Sequence, residues 1–259
     1  MYLKNDLYIS NESEFAMKNL LLDKVVLITG AGGGIGRAVA EKLAAYQAKL
    51  VLLGGNNPEK LAQTVASVEQ YTECLALPGN LTDLNFLADG VKKCIERFGA
   101  LDVLINNAGV TLTAGFENVT EADFDKVMFI NNKVPFFLTQ NAIPFLLKSN
   151  SATIINIASV VAHSGYPMQS VYSASKHALL GWTKSLASEY YKHNIRVHAI
   201  APGGVYTDMV KISRPDLTPE GMIMPDEIAE IVWFLLNNRG NAVIDEIIVH
   251  RMNKEPFLV

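Results

Sequence analysis

From Lys24 onward, short runs of aliphatic and β-branched residues alternate with longer stretches in which apolar positions recur every three or four residues. The short runs read as strands buried on both faces, and the longer stretches read as amphipathic helices. Seven strands are predicted, over Val25–Thr29, Leu50–Leu53, Glu73–Leu77, Val103–Asn106, Thr153–Ala158, Arg196–Ile200 and Ile247–His250. The intervals between them are long enough for right-handed helical crossovers, which makes a parallel sheet the expected arrangement. The predicted fold class is therefore α/β, a doubly wound sheet with helices on both faces. No repeat, low-complexity tract or Pro/Ser-rich linker divides the chain. One domain is expected over residues 21–259, holding every binding site, with an N-terminal arm over residues 1–20.

In such sheets ligands bind beyond the carboxyl ends of the strands, where strand order reverses. The polar signals of this chain fall on that edge. A glycine turn, Thr29-Gly30-Ala31-Gly32-Gly33-Gly34-Ile35-Gly36, follows the first strand; Asn106-Asn107-Ala108-Gly109 follows the fourth; Ser159 follows the fifth; and Pro202-Gly203-Gly204 follows the sixth. The glycine turn opens a helix near Ile35, where unpaired N–H groups and the helix dipole attract the pyrophosphate of a dinucleotide. Glycines at 30, 34 and 36 let the chain turn and the phosphate approach, and Gly32 and Gly33 complete the turn. An NAD-binding unit commonly ends its second strand with Asp or Glu to hold the ribose hydroxyls. Here that place reads Leu53-Gly54-Gly55-Asn56-Asn57, with no acid to repel a 2'-phosphate and no basic residue at 33 or 55 to attract one. Arg37 is the nearby arginine, and a solvated helix residue is an equally good reading of it. The N–H groups of Gly54 and Gly55 and the Asn56 amide suit a phosphate without a cation, so NADP(H) is expected over NAD(H).

Tyr172 and Lys176 lie one helical turn apart, and Ser159 precedes the tyrosine by thirteen residues. An ammonium beside a phenol favours the phenolate, moving a group that normally titrates near about 10 toward the pH at which it exchanges protons with an alcohol or carbonyl oxygen. Alone, Tyr-x-x-x-Lys usually means packing plus a solvated charge. Joined to Ser159 and the glycine turn, it reads as the site of a dehydrogenase.

Composition narrows the partners. The chain has 259 residues, 49% of them hydrophobic, which is enough for a large core. Its 22 basic and 26 acidic residues give a net charge of -4, so no broad basic surface invites nucleic acid or an anionic membrane, and a small molecule is the expected partner. Cys74 and Cys94 fall in no motif and fit buried thiols in a reducing compartment. Residues 1–19 lack the features of a signal peptide and no apolar run reaches membrane-spanning length, so a cytoplasmic location is expected. No His/Cys/Asp/Glu cluster has metal-ligand spacing, and Ser159 lies in no Gly-x-Ser-x-Gly elbow; neither a metal site nor a hydrolase is expected.

Taken together, the motifs resemble those of the short-chain dehydrogenase/reductase family from about Leu22 to Val249: the glycine turn, Asn106 to Gly109, Asn131 in Phe-Ile-Asn-Asn, Ser159 in Asn-Ile-Ala-Ser, Tyr172-Ser-Ala-Ser-Lys176, and Pro202-Gly203 with Thr207 beyond. The resemblance implies a Rossmann fold and reversible oxidation of a secondary alcohol to a ketone with NAD(H) or NADP(H). It implies that Tyr172 is the general acid in reduction and the base in oxidation, that Lys176 lowers its pKa and reaches the nicotinamide ribose, and that Ser159 holds the substrate oxygen. Asn131, rather than its neighbour Asn132, would keep a water beside Lys176. Asn80 and Leu81 would sit by the adenine, and Asn107, Ala108, Gly109, Pro202, Gly203, Val205 and Thr207 would join Tyr172 and Lys176 along the cofactor.

His198 stands where the family often has Asn, and reads as a satisfied histidine inside the sixth strand. The carboxyl end lacks the family's Gly-x-x-x-x-x-Asp-Gly-Gly finish, which bears on the common tetramer but not on a dimer through the helices containing Phe124–Leu147 and Tyr172–Tyr191. A homodimer or homotetramer is expected. The substrate wall is expected from Ser159, Val161, His163, Tyr166, Gln169 and Met209, with Val205 and Met222. This apolar set with a few polar groups suits a carbonyl or alcohol substrate such as a 3-oxoacyl compound or another ketone. The alternative is a dinucleotide-binding regulator or scaffold without catalysis.

Overall fold

The computed structural model describes residues 19–55, 57–213 and 216–255; Asn56 and nearly all of the expected N-terminal arm lie outside the described residues. All seven predicted strands form: β1 Val25–Thr29, β2 Lys49–Gly54, β3 Cys74–Pro78, β4 Val103–Asn106, β5 Thr153–Ile157, β6 Arg196–Pro202 and β7 Glu246–Val249. They make one parallel sheet in the order β3-β2-β1-β4-β5-β6-β7, which reverses direction between β1 and β4. β6 runs further than expected because its last residues pair with β7, Pro202 opposite Val249. A proline is tolerated there at the end of the ladder.

The sheet is covered on both sides. Val26 and Ile28 point into a core with Val39 and Leu43 of α1 (Gly34–Ala45) and Ile228 and Val232 of α8 (Pro225–Asn237). Their neighbours Val25 and Leu27 point the other way, toward Leu87 and Val91 of α3 (Leu84–Phe98) and Leu138 and Leu146 of α5 (Val134–Leu146). Each such side chain stabilises the fold by about 1.5–3 kcal/mol through burial. The remaining helices are α2 (Pro58–Val68), α4 (Glu121–Met128), α6 (Ser170–Tyr190) and the short α7 (Asp208–Ser213).

The helix expected through Phe124–Leu147 is interrupted by a π-helical turn over Phe129–Lys133, where the Val134 N–H reaches back to the Phe129 carbonyl. Pro135 has no N–H to give the Asn131 carbonyl four residues earlier, so regular α-helical pairing fails there. Behind the sheet's carboxyl edge, Asn106 Nδ2 donates to Asn156 Oδ1 at 2.8 Å and to Thr139 Oγ1 at 3.0 Å, and Asn156 Nδ2 donates to Thr183 Oγ1 at 2.8 Å. This buried ladder locks β4 and β5 to α5 and α6 and so fixes the backdrop of the site.

His198 is half of what was expected. Its Nδ1 lies 2.6 Å from the Ile244 carbonyl, but Nε2 is buried without a partner among the described residues. Burial pushes its pKa below the ordinary value, which keeps the ring neutral. Burial likewise pushes the thiols of Cys74 and Cys94 up to about 12, so both are protonated and unreactive near neutrality. No helix among the described residues is long and apolar enough to cross a membrane.

Candidate active site

At the reversal point, the ends of β1 and β4 are stitched together by two side chains. Thr29 Oγ1 accepts from the N–H groups of Asn107 and Ala108, each at 3.1 Å, and Asn107 Nδ2 donates to the carbonyls of Thr29 at 2.9 Å and Gly30 at 3.3 Å. The glycine turn is pressed into that seam. Gly30 has a left-handed φ of 67°, and a β-carbon on Gly36 would lie 2.3 Å from the Gly30 carbonyl oxygen, so only glycine fits at 36. α1 then starts with Gly33 at its N-cap and no side chain capping it. Its first N–H groups are left for a ligand.

A cavity of about 1280 Å³ runs from this turn along the carboxyl edge of the sheet. Gly30, Gly33, Gly34, Ile35, Gly55, Leu81, Asn107, Ala108, Gly109, Pro202, Gly203, Val205 and Thr207, from the expected cofactor set, all line it. Gly32, Gly36 and Gly54 do not; they serve close packing, Gly32 against Lys60 and Leu61, Gly54 against the Leu61 side chain. Asn80 lines it too, but its Oδ1 accepts from Thr82 N at 3.0 Å and Thr82 Oγ1 at 2.8 Å. That amide oxygen, at the position expected beside the adenine, is thus engaged within its own turn.

α6 places Tyr172 and Lys176 on the cavity wall, one turn apart. Ser159, on the turn that follows β5, shares the wall, and its hydroxyl oxygen accepts from the Val161 N–H at 3.4 Å. The expected lowering of the phenol pKa is not what this geometry produces. Burial raises it above the ordinary value, and Ser159 offsets that only in part. Lys176 Nζ does not aim at the phenol oxygen. It donates to the Ile157 carbonyl at 2.8 Å and lies 5.9 Å from the centre of the tyrosine ring. Lys176 is only 4% exposed, and this burial brings its own pKa down to about 8.

Asn131 is off the cavity wall, immediately behind it. Its Oδ1 accepts from Val110 N at 2.8 Å and its Nδ2 donates to the Val110 carbonyl and to Ser175 Oγ, both at 2.9 Å. Asn132 instead donates to the Ser175 carbonyl at 2.8 Å. The place a β-carbon on Gly109 would take is 3.3 Å from Asn131 Oδ1 and 3.7 Å from Lys176 Nζ, so the glycine keeps the space between them open.

Of the expected substrate wall, Ser159, Val161, Tyr166, Gln169, Val205, Met209 and Met222 line the cavity. His163 does not. Its Nε2 is 2.5 Å from Glu246 Oε1, which holds the ring against β7 and away from the wall. Four cations outside the expected set do line it: Lys60, Lys126, Arg251 and Lys254. Lys60, in the first turn of α2, reaches across to Asp208 of α7, Nζ to Oδ2 2.5 Å, and that ion pair together with Lys211 holds the Asp208 carboxyl below its usual range. In the sequence Lys60 is indistinguishable from any helix-surface charge. Arg251 follows β7, and extending the carboxyl-edge rule to the seventh strand is the signal that points to it. Among the described residues no group of His, Cys, Asp or Glu side chains has the arrangement of a metal site.

Comparison with known proteins agrees with this architecture. A family profile for short chain dehydrogenase matches residues 24–218. A 3-oxoacyl-(acyl-carrier-protein) reductase of Thermotoga maritima is 36% identical over 242 residues, covering 87% of this chain and 95% of that protein. The crystal structure of levodione reductase superposes with a TM-score of 0.82 at 35% identity, covering 89% of this chain and 96% of the other. A short chain dehydrogenase from Mycobacterium paratuberculosis bound to NAD gives a TM-score of 0.81 at 28% identity, over 88% and 97% of the two chains. A shared fold, a shared profile and relatives matched over nearly their whole length give one conclusion: this chain belongs to the short-chain dehydrogenase family of oxidoreductases.

Proposed function

We propose that the protein reduces a ketone to a secondary alcohol, reversibly, with NADP(H) as the hydride carrier. The observation that carries this reading is the convergence of Ser159, Tyr172 and Lys176 on one cavity that also contains the uncapped start of α1. The residues present fit a dinucleotide: the open N–H groups at Gly34 and Ile35 suit its pyrophosphate, and Gly33 and Gly55 have open space around them where side chains would crowd the ribose. When bound, the dinucleotide supplies or accepts the hydride.

The chain's own part is position and a proton. Ser159 Oγ and the Tyr172 phenol form a pair of donors for the carbonyl oxygen, each worth roughly 3–4 kcal/mol where negative charge develops. Because burial keeps the phenol protonated, Tyr172 is poised as the acid for reduction, and Ser159 stabilises the phenolate left behind. Lys176, held by the Ile157 carbonyl, orients the ribose hydroxyls. The gap that Gly109 leaves between Lys176 and Asn131 suits a water through which the proton is replaced from solvent. Exposed Phe124, Phe136 and Leu147 on the α4–α5 surface support the expected homo-oligomer.

The preference for NADP(H) has support beyond a missing acid. Lys60 lines the same end of the cavity as Gly33 and Gly55, and its β-carbon is 3.5 Å from where one on Gly32 would be. It brings a cation to the place where residues 33 and 55 provide none. Exchanging Asp208 for a 2'-phosphate as its partner favours the phosphorylated cofactor. Lys60→Met is expected to raise the Kd for NADPH about tenfold and to leave that for NADH within about twofold. Equal loss for both cofactors, or for neither, contradicts the assignment, and calorimetric titration of the wild type and the variant with each cofactor measures it.

A further inference from the structure

The far end of the cavity carries a charge that the reaction itself does not use. Beyond Gly203 and Gly204, the segment that follows β7 folds over the carboxyl edge and completes the wall with His250, Arg251, Lys254 and Glu255. Arg251 packs on Gly204: a β-carbon there would lie 3.4 Å from Arg251 Cδ and 3.5 Å from Nε. Side-chain bulk at 204 would push the guanidinium away. The side chain is half-buried, and its hydrogen-bond partner among the described residues is the Met222 thioether, at 3.1 Å from Nη1.

That is a poor match for the group. A guanidinium is charged at every accessible pH and offers five N–H donors in a planar fork, whereas a thioether sulfur is a weak acceptor. Taking such a charge partly out of water is unfavourable unless an anion or strong acceptors meet it. The other cavity cations are provided for: Lys60 by Asp208, Lys176 by the Ile157 carbonyl, while Lys126 is exposed to solvent. Neither Arg251 nor Lys254 is in an ion pair among the described residues, and the Glu255 side chain on the same wall is exposed. Sheet order separates this end from the cofactor's adenosine end. Gly55 lies beyond β2, Ser159 beyond β5 and Arg251 beyond β7, on the opposite side of β5 from the glycine turn. The wall that Ser159 and Arg251 share also includes the apolar side chains of Val205, Met209 and Met222, the last in contact with Arg251.

We propose that the substrate is an anionic ketone, with its carbonyl at Ser159 and Tyr172, an apolar spacer along Met209 and Met222, and a carboxylate or phosphate paired with Arg251, Lys254 lying near it. This rests on the reading of Ser159 and Tyr172 as the site of carbonyl reduction. The reaction is unchanged by it. The carbonyl carbon takes a hydride from the reduced dinucleotide, the oxygen takes the Tyr172 proton, and the alcohol and oxidised dinucleotide leave. The anion supplies binding and register, since a planar fork meeting two oxygens fixes the orientation of the chain bearing them.

The test is a panel of linear oxo acids and phosphate-bearing ketones of graded length, each assayed with NADPH beside its neutral methyl ester or unphosphorylated counterpart. The wild-type enzyme is expected to prefer at least one anion by about tenfold or more in kcat/KM, and the better series identifies carboxylate or phosphate. Arg251→Gln is expected to lower kcat/KM for that anion about thirtyfold, mainly through KM, and to leave the neutral counterpart within about twofold. Arg251→Lys is expected to recover part of the loss, and rising salt to erode the wild-type preference, a readout independent of any variant's folding. Neutral ketones reduced as well as every anion overturn the inference while leaving ketone reduction intact, as does an Arg251→Gln loss that is equal for both. Turnover of no ketone at all overturns the proposed function, and this inference with it.

Discussion

Tyr172→Phe is expected to lower kcat for ketone reduction by about 10²–10⁴-fold, the range for removing a positioned acid, while leaving the Kd for NADPH within about twofold. The split follows from what the substitution removes. The ring that packs over Lys176 stays, and so does the Lys176 bond to the Ile157 carbonyl that positions the ammonium. Only the phenolic oxygen, the group proposed to give its proton to the carbonyl, is lost. Because burial raises the phenol's pKa, the acid form is present throughout the neutral range, so wild-type reduction is expected not to decline as pH rises from about 6 to about 7, below the value of about 8 at which Lys176 loses its charge. Steady-state rates with paired binding titrations check both halves. Undiminished turnover in the variant removes Tyr172 from the chemistry.

Gly36→Ala is expected to destabilise the fold by about 1–3 kcal/mol and to weaken NADPH binding at least about tenfold. The added methyl carbon meets the Gly30 carbonyl oxygen at 2.3 Å and Asn107 Nδ2 at 2.5 Å, and neither yields easily. Gly30 is pinned by its own N–H to the Leu53 carbonyl at 2.8 Å, and Asn107 by its bond to the Thr29 carbonyl at 2.9 Å. α1 is therefore the element that shifts, taking the phosphate-facing N–H groups with it. Gly33→Ala is the matched control for stability, because Gly33 has extended backbone and nothing within 4 Å of its would-be β-carbon. Urea denaturation of both variants separates the packing role of 36 from the open site at 33, and equal stability of Gly36→Ala and the wild type contradicts the account.

What the sequence discloses depends on how local the signal is. The buried strands announce themselves because two-sided burial requires uninterrupted apolar runs, and β1 and β4 were delimited to the residue. The π-helical turn was not legible as such, although Pro135 sits in plain view four residues after Asn131. A missing donor tells where a helix is disturbed, and only tertiary partners such as Val110 and Ser175 decide how. His163 failed as a wall residue because its partner, Glu246, is eighty-three positions away and no spacing rule links them. The pKa reasoning at Tyr172 failed for a related cause. Helical spacing correctly put the lysine beside the ring, but the direction of a four-carbon side chain is set by acceptors elsewhere, here the Ile157 carbonyl. Lys60 was invisible as a cavity-lining residue because it resembles an ordinary surface charge until the chain folds around the cavity, whereas the place of Arg251 just after β7 was legible by the carboxyl-edge rule.

The central claim is that this cavity binds a nicotinamide dinucleotide and passes its hydride to a ketone placed against Ser159 and Tyr172. The most direct measurement is to saturate the purified protein with NADPH or NADH, following nicotinamide fluorescence, and then to add a panel of ketones and record loss of the reduced cofactor. The account predicts one binding site per chain, tighter for NADPH, and cofactor oxidation matched mole for mole by alcohol. Binding of neither dinucleotide, or binding with no oxidation by any ketone, contradicts it.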